Sequence, residues 1–173
     1  MSRESGAARG GGPGGGVRVR GPLPGQGAAC EAVLRALPDF FGIEESIEEY
    51  VRDTDGLPAF IAEERTAAEG AWAVVGLLAV ATHSAEAAEI HVMGVFPDRR
   101  RQGIGRAMVA AAEGWLREHG VTYLTVKTLS SKHPDPDYAE TRAFYAATGF
   151  VPLMELPDLW DPGNPCLVML KKL

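Results

Sequence analysis

Residues 89–108 read EIHVMGVFPDRRRQGIGRAM, and this stretch decides the fold: an apolar strand enters a turn of arginines and glycines, and the chain leaves the turn as a helix. A helix start leaves its first backbone N–H groups without partners, and their partial positive charge receives an anion readily. Gly103 and Gly105 carry no Cβ, so the backbone there is free to approach a phosphate and to take positive φ. Arg99, Arg100, Arg101 and Arg106 add fixed positive charge. Charge-assisted hydrogen bonds contribute roughly 1.5–3 kcal/mol each, so a few converging ones are enough to hold a pyrophosphate. The stretch reads as a site for a phosphorylated ligand.

Three ligand classes use a strand, a glycine turn and a helix in this order. A dinucleotide fold calls for a third glycine or alanine where Met108 stands and an acidic residue about 20 positions on, and residues 125–128 offer none. A nucleoside triphosphate loop calls for Gly-Lys-Ser/Thr, which occurs nowhere in the chain. What remains is Arg100-x-x-Gly103-x-Gly105 preceded by Val95-x-Pro97, with Ala143-Phe144-Tyr145 and Gly149-Phe150 further on. This combination resembles the acetyl-CoA pyrophosphate loop of the GCN5-related N-acetyltransferases, the GNAT family.

Outward from that stretch, 173 residues with 46% hydrophobic and 23% charged content suit one globular domain. The first 27 residues hold ten of the 21 glycines and three of the 12 prolines, with almost nothing large and apolar to bury. Residues 1–27 are therefore expected as a disordered tail, with room for a short strand near residues 17–20, and residues 28–173 as the single domain. The apolar core of a signal peptide is missing, and so is any run of about 18 apolar residues, which makes the cytoplasm the default and a membrane an unexpected partner. Arg3, Arg9, Arg18 and Arg20 against Glu4 give the tail a charge of +3, so the net −6 leaves −9 on the rest, a balance that opposes nucleic-acid binding. Cys30 and Cys166 lack any zinc-type spacing and read as free buried thiols, with no metal expected.

Apolar residues at helical spacing predict two short helices, one with Cys30, Val33, Leu34 and Leu37 ending at Pro38, the other with Ile43, Ile47, Tyr50 and Val51. The second carries Glu44, Glu45, Glu48 and Glu49, with Asp53 and Asp55 beyond; these read as a solvated face or as an attractor for a cationic amine. Residues 58–64, 71–82 and 88–96 predict an antiparallel meander. After the glycine turn, Ile104, Met108, Ala111, Ala112, Trp115 and Leu116 form one face of a helix that stops at His119-Gly120. A strand at 122–127, parallel to 88–96, a helix at 138–148 and strands at 151–156 and 166–171 complete an α/β (α+β) fold, a mixed, mostly antiparallel sheet with helices on both faces.

The same order resembles the GNAT family over residues 28–173. The resemblance implies a bulge in the strand before the glycine loop and a V-shaped splay between the two parallel strands. It implies that Met93, Gly94 and Val95 meet the pantetheine arm and the thioester by backbone hydrogen bonds, and that Arg100, Arg101, Gln102, Gly103, Ile104, Gly105 and Arg106 hold the pyrophosphate of acetyl-CoA. It assigns Tyr145 as proton donor to the departing thiolate and Glu89 as general base, and strand alternation puts His91 and Met93 on the face of Glu89, so His91 or water is the other candidate base. Family members often have Asn where Tyr138 stands here, which puts that cofactor contact in question.

Residues 129–137 lie where a wall of the acceptor site is expected, and Ser130, Ser131, Lys132 and His133 are candidate substrate contacts or plain surface loop. Residues 157–165 offer Trp160 as a lid aromatic or as a packed Trp. Arg142 is expected to pair with Glu140 or Glu118. The activity implied is transfer of an acetyl group from acetyl-CoA to a primary amine by direct attack in a ternary complex, with a non-catalytic CoA-binding module as the alternative. Strand edges in this family often pair, so a homodimer is a further implication.

Overall fold

A computed structural model of the chain describes residues 16–67 and 70–173. Strand β1 (Val17–Leu23) precedes helices α1 (Gly27–Arg35) and α2 (Glu44–Gly56), then strands β2 (Ala59–Arg65), β3 (Trp72–Thr82) and β4 (Ala87–Val95). A 3-10 turn over Pro97–Arg99 leads to α3 (Ile104–Glu118), β5 (Tyr123–Leu129), α4 (Pro136–Ala147), β6 (Val151–Asp161) and β7 (Asn164–Lys172). The strands form one sheet in the order β1-β2-β3-β4-β5-β7-β6, and β4–β5 is its parallel pair.

The short strand expected near residues 17–20 is the longer β1. Its Arg18 and Arg20 both bond the carboxylate of Glu63 on β2, at 2.8–2.9 Å. That pairing draws residues assigned to the tail by composition into the sheet. The remainder of the expected tail, residues 1–15, lies outside the described residues.

Three of the helices have a local cause. The N–H of Gly27 at the start of α1 donates to Asp55 Oδ1 at 2.7 Å. Asp135 caps α4 by accepting from the N–H of Asp137 at 2.8 Å, and Pro136 occupies the first helical position. The α3 stripe buries Ile104, Met108, Val109, Ala112 and Leu116, and the helix stops where Gly120 takes φ +81°.

The sheet separates two apolar layers. On one side Cys30, Val33, Leu34 and Ile47 of α1 and α2 cover Ala59, Ile61, Leu77, Ala79 and Val92. On the other, α3 and Tyr145 cover Phe60, Leu78, Val80, Ile90 and Leu124. Alternation along β2 supplies both layers, and each large side chain fully buried in this way stabilises by about 1.5–3 kcal/mol. Ile43, expected on the apolar face of the second helix, stands just before α2 and is 63% exposed.

Two irregularities open the sheet. Ala79 pairs with Val92 but Val80 with Ile90, so His91 is an extra residue, a bulge in β4. Beyond it the faces exchange: Ile90 belongs to the α3 layer and Val92 to the α1 layer. Glu89 and His91 do share the α2 side, whereas Met93 packs on the α3 side, against the expectation from simple alternation. In addition, the β4–β5 ladder ends at Ile90–Val126 although both strands continue, and the two splay into a V.

Candidate functional site

The V opens a cleft of about 1040 Å³, walled by β4 and β5, the α1–α2 connection, the arginine–glycine turn, α4 and the β6–β7 hairpin. Met93, Gly94 and Val95 all border it. Phe96 N–H bonds Val75 O on β3 at 2.9 Å. Strand alternation therefore turns Gly94 N–H toward β3 and leaves the N–H and C=O groups of Met93 and Val95 on the edge that has lost β5. Two of the three residues expected to offer backbone bonds carry them on the open side.

At the turn, Gly103 has φ +80° and stands immediately before α3, a conformation that costs a residue with a Cβ. Arg101 also adopts positive φ, 61°. The N–H groups of residues 101–106 make no hydrogen bond of ordinary geometry to the described protein, which is the condition for receiving an anion. Gly105 lies inside the helix, where a Cβ would come within 3.2 Å of the Phe144 ring, so its missing side chain serves packing and not positive φ. The arginines divide. Arg99 is bound to Glu64 at 2.6 Å and Arg101 to Glu140 at 2.8 Å, whereas Arg100 and Arg106 have no carboxylate partner among the described residues. Gln102 bonds Asp98 O at 3.4 Å and does not border the cleft.

Tyr145 is 6% exposed and packs edge to face on Phe144 and Phe150, with ring centroids 5.3 and 5.5 Å away. Its hydroxyl makes no hydrogen bond to the described protein, and the residue borders the cleft. Burial pushes its phenol up, so it keeps its proton across the physiological range.

Glu89 and His91 separate at the bulge. Glu89 is buried, held by Lys127 Nζ at 2.7 and 2.8 Å and by His83 Nε2 at 3.2 Å, and it does not border the cleft. His91 does border it, with Nε2 3.1 Å from Asp53 Oδ2 on α2 and its ring edge to face with Tyr50.

With this geometry in place, the comparisons are decisive. The family model described as the acetyltransferase (GNAT) family matches residues 29–150. The chain belongs to the GNAT acetyltransferase family. It is 36% identical over 87 residues to an uncharacterized N-acetyltransferase of Chlorobaculum tepidum, a match covering 50% of this chain and 49% of that protein, so the chain spans about half the length of this curated relative. A crystal structure of a candidate GNAT-family acetyltransferase from Desulfovibrio desulfuricans superposes with TM-score 0.75 at 20% identity, covering 90% of this chain and 98% of the other. A GNAT-family acetyltransferase from Elizabethkingia anophelis with acetyl-CoA bound superposes with TM-score 0.62 at 15% identity, covering 92% and 99%.

Other expectations for this GNAT chain change. Ser130 bonds Glu155 Oε2 at 2.9 Å, and Lys132 pairs with the same carboxylate at 2.6 Å. His133 accepts from Asp135 N–H, and none of residues 130–133 borders the cleft. Ser130 and Lys132 thus tie the segment before α4 to β6, and Ser130, which is buried, finds in Glu155 the partner a buried hydroxyl needs. Arg142 pairs with neither glutamate but donates to Leu129 O at 2.9 Å and Ser130 O at 3.3 Å, closing the end of β5.

Tyr138 borders the cleft and reaches Phe40 O at 3.4 Å across it. Residues 157–165 form the β6–β7 hairpin, and Trp160 is 46% exposed at the cleft wall, not packed. In the sequence Tyr50 reads only as part of an apolar helix stripe, yet it borders the cleft, and Asp53, which reads there as a solvated acidic residue or an amine attractor, is the partner of the cleft residue His91. Among the described residues no helix is long and apolar enough to cross a membrane, and no cluster of His, Cys, Asp or Glu is arranged to hold a metal.

Proposed function

We propose that the protein transfers the acetyl group of acetyl-CoA to a primary amine by direct attack in a ternary complex. The observation that carries this reading is the Tyr145 hydroxyl: buried, proton-retaining, without a hydrogen-bond partner among the described residues, and on the wall of a cleft whose opposite edge presents unpaired backbone groups. The residues fit acetyl-CoA as co-substrate. The unpartnered N–H groups of residues 101–106, with Arg100 and Arg106, suit the pyrophosphate, and Arg101 and Ile104 stand beside them. Met93 and Val95 suit the pantetheine arm and the thioester carbonyl. The acetyl-CoA-bound relative supports the same donor.

In the reaction the neutral amine attacks the thioester carbon and a C–N bond forms. Backbone N–H groups on the open edge of β4 stabilise the oxyanion, a contribution of about 3–4 kcal/mol for a well-placed donor. The C–S bond then breaks, Tyr145 protonates the thiolate, and the proton lost from the new amide nitrogen restores the phenol.

The test is release of CoA thiol in the presence of a monoamine, an aminoglycoside, an amino acid, and peptides with a free N-terminus or lysine. Acceptor-dependent thiol release supports the proposal. Calorimetric binding of acetyl-CoA with no thiol release for any amine would replace it with a CoA-binding module.

A further inference from the structure

Resting on that reaction, we propose that His91, held by Asp53 of α2, is the group that takes the proton from the acceptor ammonium. Glu89 is poorly placed for the task. Both its oxygens are bonded to Lys127, it is also approached by His83, and it is off the cleft wall. His91 is the bulged residue of β4, and it borders the cleft where the ladder to β5 has just ended.

The chemistry follows from the pairing. An Asp53 carboxylate accepts the Nε2 proton at 3.1 Å, which fixes the neutral tautomer with a lone pair on Nδ1. That lone pair accepts H⁺ from R–NH₃⁺, leaving R–NH₂ to attack the thioester and an imidazolium stabilised by Asp53. The second amine proton balances the one given to the thiolate, so one proton leaves through His91 per turnover. Asp53 acts through His91 and is a positioning residue.

The charged and titratable groups around the ring are few. Asp53 and Tyr50 approach from α2, Cys30 lies behind Tyr50 on α1, Lys127 comes from β5 where Glu89 neutralises it, and β3 carries no titratable residue. Tyr50 borders the cleft with its ring edge to face with both His91 and Phe41, so the ammonium arrives beside aromatic rings that favour a cation.

The experiment is the pH dependence of kcat/KM for the best amine of the panel, in the wild type, His91→Gln, Asp53→Asn and Glu89→Gln. His91→Gln is expected to lose about 100-fold in kcat/KM together with the acid limb of the profile, while acetyl-CoA affinity by calorimetry stays within about twofold. Asp53→Asn is expected to lose about 10-fold in kcat with little change in the KM for the amine, because the ring is no longer held in one tautomer. In the protein alone, nitrogen NMR of the neutral His91 imidazole should show the proton on Nε2 in the wild type and a mixture of tautomers in Asp53→Asn, so the dyad is read even where turnover is slow. An acid limb that persists in His91→Gln, or one lost only in Glu89→Gln, overturns the assignment and leaves acetyl transfer standing. No thiol release by the wild type with any amine overturns both.

Discussion

Gly105 and Phe144 pack so closely that a Cβ on the glycine would lie 3.2 Å from Phe144 Cζ. The contact joins the first turn of α3 to the residue preceding Tyr145, so the arginine–glycine turn and the proposed acid share one piece of packing. Gly105→Val overfills it. A stability loss of about 1–3 kcal/mol is expected in chemical denaturation, with a fall in kcat as Tyr145 shifts. Wild-type stability in this variant would mean that Phe144 moves aside freely.

Gly103 has open space around it but φ +80°. Gly103→Val therefore meets no neighbour, and its cost is conformational, about 1–2 kcal/mol. The turn would change shape and its N–H groups would diverge, so acetyl-CoA affinity should drop at least tenfold by calorimetry while the far-UV spectrum is kept. Unchanged affinity in the folded variant removes the turn from the donor site.

Tyr145→Phe deletes a hydroxyl that bonds no group among the described residues and leaves the ring contacts with Phe144 and Phe150 in place. The melting temperature should hold or rise. A CoA thiol resembles a Cys side chain, with pKa about 8.5, so its thiolate already leaves tolerably well and the acid's contribution falls toward the low end of the usual range. Single-turnover rates are expected to fall roughly 10- to 100-fold, with little change in acetyl-CoA affinity. Full activity would exclude an essential proton donor here.

The edge strand β1 should be acid-labile. Bonded to Arg20 and Arg18, the Glu63 carboxyl is held below the usual carboxylate range. A folded-state value below the unfolded one means that this stabilisation is present above the unfolded carboxylate pKa and is lost as the pH falls through the folded value. Arg18 also stacks on Trp72, 3.9 Å from the ring centroid. Trp72 fluorescence should therefore report loosening of β1 on acidification, and Glu63→Gln should show it already at neutral pH, with about 1–2 kcal/mol less stability. A variant whose stability matches the wild type at every pH would disprove the anchoring role.

The local sequence alone determined the order of elements and the arginine–glycine turn before α3, because both rest on short-range chemistry. The apolar spacing of α3, the Gly120 stop and the apolar runs of β2 and β3 are readable within a dozen residues, and so are a turn glycine and arginines at a helix start. It also singled out Tyr145, through a motif and not through its surroundings. Tertiary structure alone decided which groups are free to act. A one-residue bulge at His91 cannot be read from β4, since it arises from the register with β3, and it sends Met93 to the face opposite Glu89. Whether a carboxylate is a base or an ion-pair partner depends on residues far along the chain: Lys127 engages Glu89 across 38 positions, and Asp53 reaches His91 across another 38. The same long-range pairing engaged Arg99 and Arg101 and left Arg100 and Arg106 without a carboxylate among the described residues, a distinction the sequence around 99–106 does not show.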